Sequence, residues 1–164
     1  MPVTGFVTAS RGGDNGNPPV IATCDNAFPI VQREVDLFNH LVLPRSTGQT
    51  DDNRATFWGP ASAFCKDRRA VLLMDPRIST GTNAWQDVTQ ARAGLSALRN
   101  GDVKDYTAIY WPRVVINDPV TGAQRPIDPS GTVAGICSPI DASRGVWKAP
   151  AGLEASLIGV LSVD

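Results

Sequence analysis

The residue types that could do chemistry are few in this 164-residue chain. There is one histidine, His40, so any Ser-His-Asp arrangement has to use it. Asp36 stands four residues before it and serines are plentiful. Yet His40 directly precedes the apolar run Leu41-Val42-Leu43, where a strand-entry structural role is the plainer explanation. The GxSxG nucleophile elbow is absent. Carboxylates pair at Asp51/Asp52, Asp102/Asp105 and Asp118 with Asp128, all read in loops or at helix ends, where capping and turn formation account for them. Glu34 and Glu154 are the only glutamates, and one histidine among scattered aspartates gives no metal-ligand spacing. Cys24, Cys65 and Cys137 are odd in number and far apart, which suits neither a disulfide framework nor a CxxC site. They read as small buried apolar groups in a reducing compartment. Neither GxxxxGK[ST] nor GxGxxG occurs, and the single GGDNGN is read as a turn. The sequence therefore implies no catalytic residue, no cofactor and no metal.

Composition narrows the classes further. Fifteen basic residues face 16 acidic ones, a net charge of -1, so the basic excess of a nucleic-acid binder is missing. Apolar runs stop at four or five residues, far below the roughly 20 that span a bilayer. The opening MPVTGFVTAS has neither the basic start nor the apolar middle of a signal peptide. Apolar residues at 42% suffice for one core. Trp58, Trp85, Trp111 and Trp147 read as core or interface anchors rather than a base-stacking platform.

The elements that would position these residues follow from periodicity. RGGDNGNPP makes residues 1–27 a Gly/Pro-rich loop segment, either a start within a larger chain or an arm. A short helical turn follows Pro29. LVLP and VLLMDP read as buried strands joined by a helix from Gly59 or Pro60 that turns Ala61, Phe64 and Cys65 inward, a βαβ pattern. Trp85, Val88, Ala91, Leu95 and Leu98 mark a helix over 83–100 with Asn83 as cap. YTAIYWP is a third strand, and RVVIND with GAQRPI flank a turn at Pro119–Gly122. Val133, Ile136, Cys137 and Ile140 line a helix from about Ser130, capped by Asp128 or Ser130, and Leu157–Val163 is a last strand. The expectation is an α/β fold: a mainly parallel sheet flanked by helices on both faces, with a projecting β-hairpin. Residues 28–164 would form that domain.

Three stretches, in order, carry a resemblance. They are Val35–Pro44 (VDLFNHLVLP), Phe64–Pro76 (FCKDRRAVLLMDP), and Tyr106–Pro150, with Asp118-Pro119…Gly122, Pro129-Ser130-Gly131, Val133-Ala134-Gly135 and Asp141…Arg144-Gly145-Val146-Trp147-Lys148-Ala149-Pro150. Together they resemble the contractile tail sheath proteins of bacteriophages and phage-tail-like particles. The likeness departs at Gly152, where the family continues with Asn. Sheath proteins are generally much longer, and their C-terminal domain would begin near Asp164, so the chain is similar to the central, subtilisin-like sheath domain. SGTVAG (Ser130–Gly135) echoes a subtilase histidine motif without the histidine.

The resemblance implies a non-enzymatic virion structural protein, assembled in the bacterial cytoplasm into hexameric rings with other sheath subunits. It implies inner tail tube and baseplate proteins as further partners, with no nucleic acid and no membrane insertion. Candidate inter-subunit contacts are Arg11, Asp14, Asp118, Thr121, Arg144 and Lys148, and loops 11–19, 45–53 and 117–129 are the candidate contact surfaces. Trp147 is expected to be a packed internal clamp. The alternatives are a serine hydrolase on a subtilisin-like fold using His40, or a passive particle decoration module.

Overall fold

The computed structural model describes residues 17, 19–46, 48–78, 84–98 and 104–164. Helix α1 (Ile21–Glu34) leads into strand β1 (His40–Val42), helix α2 (Asp51–Arg68) and strand β2 (Val71–Met74). Helix α3 (Val88–Leu98) and strands β3 (Thr107–Ile109), β4 (Val114–Asn117) and β5 (Gln124–Ile127) follow, then helix α4 (Pro129–Arg144) and strand β6 (Val160–Val163).

The strands form two three-stranded sheets, β1-β2-β3 and β5-β4-β6. In the first, every pairing is parallel, with His40 opposite Val71 and Leu72 opposite Thr107. In the second, β4 pairs antiparallel with both neighbours. This corrects the expectation of a single, mainly parallel sheet. The architecture is mixed α/β with one small parallel and one small antiparallel sheet. The reason lies in β6: it joins the outer edge of the hairpin at β4, where the backbone of Val114 and Val115 was free to pair, instead of extending the parallel sheet. The hairpin itself falls where the sequence puts it.

The core sits between β2 and α2. Trp58, Ala61 and Cys65 from α2 meet Ala70, Leu72 and Met74, with Leu41, Leu43 and Ile109 from the neighbouring strands packed against them. Side chains alternate along a strand, so Leu73 points the other way. It is buried as well, and α4 contacts β1 and β2. A three-strand sheet whose central strand reads VLLM without a polar residue is what burial on both sides requires. Phe28 of α1 stacks on Phe64 of α2 at 4.7 Å between ring centroids, and Phe38 adds a second stack at 5.9 Å.

Helix limits depart from the sequence expectation in ways that local chemistry explains. Residues 21–27, read as loop, belong to α1, and Pro29 lies inside that helix. α2 starts at Asp51, well before the expected Gly59 or Pro60: the Thr50 hydroxyl accepts from the Asn53 amide (3.2 Å), and Asp51 and Asp52 complement the positive end of the helix dipole. Pro60 is therefore internal. Arg69, in the left-handed region at φ 55°, ends α2. α3 starts at Val88; the Asp87 carboxylate accepts from the Gln90 amide (2.8 Å), while the expected cap Asn83 lies outside the described residues. Asp128 is the N-cap residue of α4, but its carboxylate is engaged by two arginines rather than by the helix amides.

Candidate functional site

Parallel strands β1 and β2 end, on the same side of the sheet, in Leu43-Pro44-Arg45 and Asp75-Pro76-Arg77, and the N-termini of α2 and α4 arrive at that edge. In open α/β sheets this edge is where ligands bind. Here it is filled by the chain's own charges. The Asp75 carboxylate accepts from the Arg54 guanidinium and, at 2.9 Å, from the Ser130 amide at the start of α4. Arg54 also donates to the Leu43 carbonyl (2.7 Å) and lies 4.9 Å from the Trp58 ring centroid. Arg45 donates to Asp128 (2.9 Å), Asp51 (2.7 Å) and the Pro76 carbonyl (3.2 Å). Arg113, just ahead of β4, lies 3.2 Å from Asp128 and donates to the Pro126 carbonyl (2.8 Å). The cluster thus ties the parallel sheet, both helix N-termini and the antiparallel sheet to one another.

Its electrostatics are those of a buried network. Desolvation pushes the Asp75 carboxyl up and the Arg54 guanidinium down, so burial works against both charges and their pairing offsets only part of it. Burial would lower Arg45 too, but hydrogen bonds to Asp128 and Asp51 outweigh it and hold that guanidinium above its ordinary value. Sequence reading took Asp51 and Asp128 for caps and loop 45–53 for a contact surface. Arg45 and Asp51 are instead committed internally, a pairing across six residues that no periodicity signals.

His40 is the first residue of β1, opposite Val71. Asp75 follows β2 at its other end, four residues on, roughly 13 Å along the strand at about 3.3 Å per residue. His40 therefore stands at the opposite edge from Asp75 and Ser130, and Asp36 lies in a bend after α1, not one helical turn upstream. The three cysteines are free thiols, with Cys65 and Cys137 buried; desolvation pushes the Cys65 thiol up to about 12. Among the described residues no group of three His, Cys, Asp or Glu could hold a metal ion, and no helix is long and apolar enough to cross a membrane.

The candidate contact residues are distributed as follows. Arg11 and Asp14 lie outside the described residues. Asp118 closes β4 and organises the hairpin turn: its carboxylate accepts from the Val120 amide (2.9 Å) and lies 3.5 Å from Arg125, while its carbonyl accepts from the Gly122 amide (2.7 Å). The backbone bond to Val120, then Arg125, hold its carboxyl below the ordinary value. Thr121 is exposed at the tip and accepts from the Ala123 amide. Arg144 ends α4 and pairs with Glu154 at 2.5 Å, which lowers the Glu154 carboxyl. Lys148 is half-buried, its Nζ donating to the carbonyls of Ala149 (2.8 Å) and Ala151 (3.3 Å).

Trp147 departs from the expected clamp: it is 84% exposed. Gly145, at φ 95°, reverses the chain after α4, and a Cβ there would fall 2.3 Å from the Trp147 ring, which lies over it. The ring packs over that glycine and is otherwise largely open to solvent. The connection from α4 to β6 carries more of the same: Leu153 is 98% exposed and Ile158 96%. Leu157 and Ile158, expected within a last strand over Leu157–Val163, instead precede β6, which begins at Val160, while Leu153 fits neither a helical nor a strand period. No family model matches the chain, and no curated protein matches it.

Proposed function

We propose that the chain is a structural subunit, or the core domain, of a contractile tail sheath. On this reading it packs in stacked rings around an inner tube, in a virion tail or phage-tail-like particle, and moves as part of a contraction that drives the tube through a target envelope. The observation that carries the reading is the ordered likeness from Tyr106 to Pro150, whose residues build β3, the hairpin, α4 and the Trp147 turn in unbroken succession. The parallel β1-β2-β3 unit, with α2 and α4 in contact with its central strand, is compatible with the subtilisin-like domain and its mainly parallel sheet. Other sheath subunits, the tube and the baseplate would be its partners, and the reading requires no cofactor, metal or catalytic residue.

Contraction without a nucleotide needs two packings of like subunits that differ modestly per copy and switch together. A subunit suited to this is internally rigid and carries its adaptable chemistry outside. The cross-linked Arg45–Asp128–Arg113 cluster and the exposed Trp147 connection have that character.

The test is negative-stain electron microscopy of the protein expressed from its native locus with neighbouring genes. Extended or contracted tubes that contain the chain support the reading. Tube-free particles from a locus with no tube protein overturn it, and decoration of another particle's surface would favour a passive module. His40→Ala separates the hydrolase alternative, since a sheath assembles with that change and a hydrolase loses activity.

A further inference from the structure

The connection between α4 and β6 leaves an apolar face without a partner. A groove of about 620 Å³ lies between α4 and the antiparallel sheet, with Ile127, Ile136, Leu157 and Ile158 in its walls. A second, of about 500 Å³, is formed by Trp147, Ala151 and Leu153 with the stems of Arg144 and Lys148. Glu154 lines both, so the two grooves adjoin there. We infer that this face is a docking surface for a second copy of the chain, with Trp147 and Leu153 as its anchors.

Area is the first argument. Trp147, Leu153 and Ile158 are almost wholly exposed, and Leu157 is exposed too. At about 150–250 Å² for an aromatic side chain and somewhat less for the aliphatic ones, these residues present on the order of 600 Å². The largest apolar patch of a typical monomer is about 300–600 Å², whereas a stable interface takes about 800 Å² from each partner, polar rim included. This face reaches the top of the first range.

Charge is the second argument, and it is consistent with a like copy. The charged groups on the face are satisfied within it: Arg144 by Glu154, and the Lys148 ammonium by two carbonyls. Interface centres are depleted in unpaired charge in this way. The chain's net charge of -1 means that two copies do not repel one another over distance. A lipid surface would call for a basic cluster beside the apolar residues, and here the nearest basic groups are already engaged. The inference rests on the sheath reading only in taking a like copy as the partner.

Sedimentation velocity of the full chain over a hundredfold concentration range tests it. The wild type should associate reversibly, with Trp fluorescence shifting as copies pair. Leu153→Asp and Trp147→Ala should weaken association at least about thirtyfold, as interface anchors do, with unchanged circular dichroism. Val120→Asp, at the hairpin tip and also exposed, should leave it unaltered. A chain monomeric throughout overturns the inference, as does association indifferent to Leu153 and Trp147. Failure is separable from that of the sheath reading. Tubes assembled from Leu153→Asp would sink this surface and leave the sheath intact; self-association through this face without tubes would do the reverse.

Discussion

Replacing Asp75 by alanine tests whether the charged edge of the parallel sheet is a structural bond or an incidental contact. The carboxylate is almost fully buried and serves two donors, the Arg54 guanidinium and the Ser130 amide at the head of α4. Alanine leaves the Arg54 charge buried; its bond to the Leu43 carbonyl does not neutralise it. Breaking one side of a buried pair costs about 3–5 kcal/mol, and the orphaned amide adds part of a further 1–3 kcal/mol or so. With a urea slope of about 2 kcal/mol per molar, the midpoint should fall by roughly 2 M, a large share of the total stability of about 5–15 kcal/mol. Urea unfolding followed by circular dichroism is the assay. Two companions sharpen it. Because burial works against both charges, Asp75→Leu combined with Arg54→Met should recover most of the loss. Asp52→Ala removes a carboxylate that is 87% exposed and pairs with Arg77, and should cost under about 1 kcal/mol. If Asp75→Ala costs no more than Asp52→Ala, the edge does not hold the fold together and the reasoning fails.

Three further outcomes are expected. Gly94→Ala would put a Cβ 2.0 Å from the Nε1 of the buried Trp85; despite a helix-propensity gain of about 1 kcal/mol, it should destabilise by about 1–3 kcal/mol in thermal unfolding, and a neutral result would mean that α3 does not press on that ring. Cys65, its thiol pushed up to about 12 by burial, should react with a thiol reagent at mildly alkaline pH only after denaturant is added; labelling of the native chain at Cys65 would contradict its place in the core. Glu154, held below the ordinary carboxyl range by Arg144, contributes its stabilisation above the unfolded value of about 4.3 and loses it as pH falls through the lower folded value. The Trp147 emission should therefore change below about pH 4, and Arg144→Ala should return the Glu154 titration, read by carboxyl NMR, to its ordinary position.

What was legible in the sequence follows the range of the interactions involved. β2 was plain because four apolar residues closed by Asp-Pro have one easy fate, burial in the middle of a sheet. The hairpin was plain because its turn is built from neighbours: Asp118 binds the amide two residues on. The start of α2 was missed because Pro60 invites a first-turn reading, while the cap that decides the matter, Thr50 on Asn53, looks like loop composition. The single sheet failed for a longer-range reason. Nothing in Val160–Val163 says whether it pairs with β3 or β4, since an apolar strand edge of either kind would satisfy it. The charged edge was missed most completely. Arg45 meets Asp128 across 83 residues and Asp75 meets Ser130 across 55, and only the fold brings those separations to zero.

The placement of charge also bears on where function can reside. Asp51, Asp75 and Asp128 stand beside the two helix N-termini that could have received an anion, and they occupy those positive ends themselves. Each carboxylate is met by an arginine from another element, so the edge where an open sheet would hold a ligand serves instead to bind β1, β2, α2, α4 and β4 into one piece. The exposed apolar side chains on the α4–β6 connection are in the reverse condition: they gain nothing from the fold that presents them. Burying them against a partner would gain about 25 cal/mol for each Å² removed from water, and a subunit stiffened internally by ion pairs loses little conformational freedom when that happens. Rigidity inside and unsatisfied apolar surface outside are the two properties a subunit needs if the free energy of assembly is to appear at its contacts rather than be absorbed by its own deformation.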